Sequence, residues 1–220
     1  LRYIYMKVEV YIPDTLSEIT LGQYQKYLKI QSENEDENFL AIKMIEIFCG
    51  LRGDTIMSMK AKSIRDITAI LTNMFNEKPQ LVKEFKMGKK TYGFIPKLED
   101  MTFGEYVDLD TYIGDMPNLH RAMGVLYRPI KLKDKEKYLI EDYKGEESEK
   151  MKNMPMDAVL SSIIFFYNLG MDLSKAMLNF LNEEEMDLMQ QQILEESGDG
   201  INRFSDSLKE ILEDLRISLN

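Results

Sequence analysis

The residues with the most chemical potential are acids near a strand. Asp108 and Asp110 lie upstream of Asp142 and Lys144, and residues 137–143 read as a strand. An acid-x-Lys pair on a strand with an upstream Asp is the skeleton of one class of metal-dependent nuclease. That chemistry needs the carboxylates to converge on one cation, and nothing in the spacing fixes such convergence. Cys49 and His120 are the single cysteine and the single histidine. A Cys-His nucleophile needs a third group to orient the base, so Cys49 reads instead as a small core hydrophobe near a helix end. The acidic stretch 31–38 lacks the glycine of a calcium loop. Gly22 and Gly104 lack the clustered glycines and lysine of a phosphate loop. No catalytic, cofactor-binding or metal-binding residue is therefore expected, and the chain reads as a non-enzyme.

The bulk properties narrow the partners. The 220 residues carry a net charge of −10, and residues 173–220 hold eleven acids against four bases. An acidic surface disfavours duplex nucleic acid, which is bound by neutralising phosphates, and disfavours anionic membranes. The longest apolar run, 158–169, is broken by Ser161, Ser162 and Asn168 and falls short of the ~20 residues of a membrane span. A lone cysteine excludes an intramolecular disulfide and fits a reducing compartment. Residues 1–13 alternate and carry charges, so a strand rather than a signal peptide is expected there. Met6 is one expected start; a non-standard or processed start at Leu1 is the other.

One element recurs and organises the rest. YIPDTLSEITLGQY at 11–24 is matched by FIPKLEDMTFGEY at 94–106. Each copy has aromatic-Ile-Pro, then Leu, an acid, and apolar-Thr-apolar-Gly-Gln/Glu-Tyr. Thr20 with Gln23, and Thr102 with Glu105, have the spacing of a capping box, in which each side chain satisfies an orphan backbone N–H of the other residue. Ile19 against Tyr24 and Met101 against Tyr106 would form hydrophobic staples. Pro13 and Pro96 lack a donor and belong at strand ends. The structural motif is thus Pro13, Thr20, Gly22, Gln23 and Tyr24 in one copy. In the other it is Pro96, Thr102, Gly104, Glu105 and Tyr106.

The likeness continues downstream. Residues 40–48 align with 119–127, and Met59-Lys60 with Met151-Lys152. The expected fold is α+β and mainly α-helical. It is an internally duplicated strand, loop, capped helix, helix, helix unit, with a small antiparallel sheet and C-terminal helices. Residues 1–80 form the first repeat and 81–171 the second, packed as one pseudo-symmetric domain, with 172–220 an acidic helical extension.

Individual elements follow from pattern. Residues 2–12 alternate with period two, as a half-buried strand does. Helices are expected at about 21–30, 39–49 and 63–75. Residues 81–86 and 90–95 flank a Gly-containing turn, as in a hairpin. Lys83, Lys86, Lys89 and Lys90 either protect its edge or dock an acidic partner, such as another copy's acidic tail. A helix runs from Pro155 to Leu169 and ends at Gly170. The next is capped by Asp172 or Ser174 and carries Met177, Phe180, Leu181, Leu188 and Met189. Gly198-Asp199-Gly200 reads as a hinge. In the last helix Ile201, Phe204, Leu208, Ile211, Leu215 and Leu219 recur every three or four residues, a narrow apolar seam. It packs on the body or binds a second chain, so these six are the candidate partner-binding residues.

The repeated joint, together with NLHRAMGVLYRPI at 118–130, resembles uncharacterised products of structural gene regions in tailed bacteriophages of gut and marine Bacteroidetes, including the crAss-like group. The resemblance covers about residues 8–170 and transfers no catalytic residue. It implies a non-enzymatic phage morphogenesis protein: a virion component of head, connector, tail or internal cargo. Its partners would be other phage proteins and copies of itself, with no membrane and no direct nucleic-acid contact. It would reside in the virion, or in the host cytoplasm during assembly. The alternative is a tail assembly chaperone absent from the mature particle, for which sixteen methionines offer adaptable apolar surface. The remote alternative is the nuclease above.

Overall fold

The computed structural model describes residues 10–145, 148–183 and 188–214. Of the strand expected at 2–12, residues 2–9 lie outside these and residues 10–12 are not in a strand; the seam residues Leu215 and Leu219 also lie outside. So do the side chains of Met177, Phe180, Leu181, Leu188 and Met189.

The fold is α+β and mainly helical. Helices α1 (Leu21–Ser32), α2 (Glu37–Phe48), α3 (Gly53–Met57) and α4 (Ala61–Met74) form the first half. Their apolar faces close on an aromatic cluster, with Tyr24 4.9 Å and Phe48 5.3 Å from Phe75 between ring centroids. The acidic stretch before α2 supplies its cap: Asp36 Oδ1 accepts from the Asn38 and Phe39 N–H groups. That satisfies two of the donors every helix start leaves open.

The second half holds the sheet. Strands β1 (Glu84–Met87), β2 (Lys90–Phe94), β3 (Tyr127–Asp134) and β4 (Lys137–Ile140) pair antiparallel in the order β1-β2-β3-β4. The sequence reading has no strand at β3. Pro129 hides it, because proline is normally barred from an inner strand. Here the ladder is irregular beside it, with a register shift between Ile130 and Leu132. Helices α5 (Phe103–Tyr112) and α6 (Leu119–Leu126) separate β2 from β3.

Helix α7 (Met156–Glu183) crosses the core, and α8 (Leu188–Asp214) packs along it. Two expectations are corrected here. Gly170 does not end a helix and Gly198-Asp199-Gly200 is not a hinge; both lie inside continuous helices. Gly170 has a packing role instead: a Cβ there would collide with Ser205 Oγ. At Gly114 a Cβ would approach Ser207 to 2.9 Å. Both glycines let α8 lie close on the body. The boundary drawn at 171–172 therefore falls within α7. The stretch Met156–Ala176 is also long and apolar enough to cross a membrane by length and composition, with 50% of its most apolar window buried in the protein. The sequence reading divided it at its serines; Ser161 and Ser162 bond back to the carbonyls of Ala158 and Val159 within the helix.

One core serves both halves and α8, running from Leu16 through Tyr127 to Leu212. Capped helix, second helix and third helix recur in order as α1, α2, α4 and α5, α6, α7, but the second series carries β3 and β4 between its last two members.

Candidate protein-contact surfaces

The two joints have the same internal chemistry. Each has a short 3-10 turn, Leu16–Glu18 or Leu98–Asp100, before its capping Thr. The Gln23 N–H donates to Thr20 Oγ1 at 3.2 Å, and the Thr20 N–H to Gln23 Oε1 at 2.9 Å. The Glu105 N–H donates to Thr102 Oγ1 at 3.3 Å, and the Thr102 N–H to Glu105 Oε2 at 2.7 Å. Both capping boxes expected from the spacing are present.

Their surroundings are opposite. The first joint is docked. Leu21 N–H donates to the Met154 carbonyl and Met156 N–H to the Ile19 carbonyl, both at 2.9 Å. Gly22 admits Lys152, whose carbonyl oxygen would be 3.0 Å from a Cβ at that position. Pro13, Ile19, Leu21 and Tyr24 are buried. The second joint is bare. Pro96 is exposed, and a Cβ at Gly104 would meet nothing. Phe103 is 82% and Tyr106 57% exposed. Tyr106 faces solvent where Tyr24 faces an aromatic core.

Only the inner face of α5 is engaged. Glu105 is buried and forms an ion pair with Arg128 on β3. Burial alone would raise its carboxyl. The Thr102 N–H and hydroxyl and the Arg128 guanidinium outweigh that and hold it below the ordinary glutamate value. Asp108 accepts from the Tyr143 hydroxyl at 2.7 Å, and Leu109 is buried. At 3.6 residues per turn the opposite face carries Phe103, Tyr106, Val107 and Asp110, and all four are exposed.

A second exposed surface lies on the sheet. Residues of β1, β2 and β3 line a groove with an apolar floor of Pro129, Ile130 and Leu132 and a rim of lysines. Leu132 and its cross-strand partner Leu139 are 64% and 62% exposed. Lys90 pairs with Glu141, Lys131 with Asp142 and Lys133 with Glu84. Lys86 and Lys89 have no ion-pair partner among the described residues.

The described part of the C-terminal seam is spent inside the chain. Leu208 and Ile211 are buried, with Leu212 beside them. Phe204 meets Phe166 edge-on at 6.2 Å, and Ile201 is half-buried. These four candidate partner residues cover the chain's own core, because α8 folds back on α7 instead of projecting from it.

The remaining candidates have separate partners. Asp108 accepts from Tyr143 and Asp142 pairs with Lys131, while Asp110 is on the exposed side of α5, about 200° around the helix from Asp108. Among the described residues no three His, Cys, Asp or Glu side chains are grouped to hold a metal ion. Cys49 is the C-cap of α2, and burial pushes its thiol up to about 11, away from thiolate reactivity. His120 is buried on α6 with Nε2 3.1 Å from Glu149 Oε1. A carboxylate only accepts, so Nε2 carries the proton and Nδ1 has no partner among the described residues.

Comparison of the chain with protein-family models, characterised proteins and solved structures found no match to any of them.

Proposed function

We propose that this chain is a non-enzymatic morphogenesis protein of a tailed bacteriophage, a virion component that works through protein–protein contacts. The phage assignment rests on the repeated joint and the 118–130 motif. The observation that supports a contact role is the bare second joint. Its three apolar side chains, Phe103, Tyr106 and Val107, stand in one exposed stripe on a helix whose other face is fixed by a buried ion pair. An exposed apolar stripe on a helix held in place by its other face is a candidate binding surface.

The chaperone alternative drew on methionine-rich surface. Met44, Met74, Met116, Met123, Met151, Met154 and Met156 are all in the core, and Met57 is the most exposed of the described methionines. That composition therefore supports packing more than adaptable binding. The nuclease alternative needs Asp108 or Asp110 to converge with Asp142 and Lys144; Asp108 and Asp142 have different partners, and no group of metal-ligating side chains is found among the described residues.

Quantitative mass spectrometry of purified phage particles beside infected-cell lysate tests the reading. A reproducible copy number in the particle is expected. Presence in lysate with absence from particles would remove the virion reading in favour of the chaperone or an enzyme, which a cleavage assay with magnesium or manganese then separates.

A further inference from the structure

We infer that the outward face of α5 docks into the lysine-rimmed sheet groove of a second copy of this chain, giving a head-to-tail contact. This deepens the contact role proposed above and rests on it.

The α5 ridge and the sheet groove match in shape, polarity and charge. The ridge is convex and reads acid, aromatic, acid: Glu99 and Asp100 precede it, Phe103, Tyr106 and Val107 form its crest, and Asp110 ends it. Lys97, 3.9 Å from Asp100, is the one ion-pair partner of these acids among the described residues. The groove is concave, with Pro129, Ile130 and Leu132 inside and five lysines against two glutamates around it, a net charge of +3. Two of those lysines, Lys86 and Lys89, are unpaired among the described residues. An aromatic side chain in the groove would cover apolar floor, and the flanking acids would meet the free lysines. Complementary charge of this kind fixes register and raises the encounter rate.

The contact cannot form within one chain. Glu105 ties the inner face of α5 to β3, and Asp108 ties it to Tyr143 just beyond β4. The ridge therefore points away from the sheet that carries the groove. Pairing between copies covers both exposed surfaces with a single contact. The patches differ, so the interface is heterologous, and it generates a ring if the rotation closes and a filament if it does not. The acidic segment 183–199 is the competing occupant of the groove, with seven acids and no base. The ridge is favoured because it also leaves its own apolar crest uncovered.

The experiment is sedimentation velocity on the full chain over a concentration series, up to ~0.5 mM, where a contact with a Kd of ~0.1 mM still populates dimers. One variant breaks the ridge (Phe103→Ser with Tyr106→Ser) and another the groove (Lys86→Glu with Lys89→Glu). All four sites are at the surface, and circular dichroism checks that each variant is folded. The wild type is expected to gain mass with concentration, and each variant alone to remain a monomer. Mixed together, the variants should form a dimer and nothing larger, because one intact ridge then meets one intact groove. A wild type that stays monomeric at ~0.5 mM overturns the contact. So does a mixture that stays monomeric. Association that survives in the ridge variant but is lost on Glu183→Lys, Glu184→Lys and Glu185→Lys assigns the groove to the acidic segment and also overturns it. The particle measurement is independent: a monomer with a fixed copy number in particles removes this contact and leaves the virion role standing.

Discussion

At the scale of single residues, two buried polar groups set how the fold responds to change. Glu105 and Arg128 are a buried pair, with side chains 5% and 11% exposed. Removing one partner leaves the other charged and desolvated, which typically costs 3–5 kcal/mol. Glu105→Ala, which also loses half a capping box, should destabilise the protein by about 4 kcal/mol, read from the midpoint of a urea titration. His120 gives a pH signature. Burial first, and then Lys152, hold its pKa below the ordinary value against the pull of Glu149. The unfolded chain therefore binds the proton more readily, and stability that is full above the ordinary histidine pKa of ~6.5 falls as pH drops through it. Urea midpoints measured from pH ~7.5 down to ~5.5 should show this slope in the wild type, and His120→Gln should flatten it.

At the scale of elements, the twin joints are a natural control. Gly22 and Gly104 occupy the same position of the same motif, yet one faces the Lys152 backbone and the other faces open solvent. Gly22→Ala should destabilise, because a backbone carbonyl 3.0 Å from the new Cβ has little room to yield. Gly104→Ala should stabilise by up to ~1 kcal/mol through helix propensity alone. Two thermal melts settle the signs. Thr20→Ala and Thr102→Ala should each cost about 1 kcal/mol, since both caps are formed. The joint was legible because a capping box is a local device whose partners are three residues apart. What covers the joint was not legible. Met154 and Lys152 reach Leu21 and Gly22 from over a hundred residues away, and no local pattern encodes that meeting.

At the scale of the whole molecule, α8 is part of the body. Leu208, Ile211 and Leu212 belong to the same core as Leu16 and Tyr127. Deleting residues 201–220 should therefore lower the stability of the entire chain, not release an intact body. Leu208→Ala should cost about 3 kcal/mol, in the range of large-to-small core changes. A truncated chain with an unchanged melting temperature would contradict this.

The sequence alone determined what depends on neighbours along the chain. Period, caps and turn residues place α1, α5, the β1–β2 hairpin and the helical class, because those preferences act within a few residues. The tertiary structure alone decided which apolar stripes are consumed. The seam at 201–211 and the stripe at 103–107 look alike as sequence, each apolar at helical spacing. One is buried because Gly114 and Gly170 let α8 close on the body. The other is exposed because Arg128 and Tyr143 hold the opposite face of α5. Burial is a property of which elements meet, and long-range packing fixes that, not periodicity.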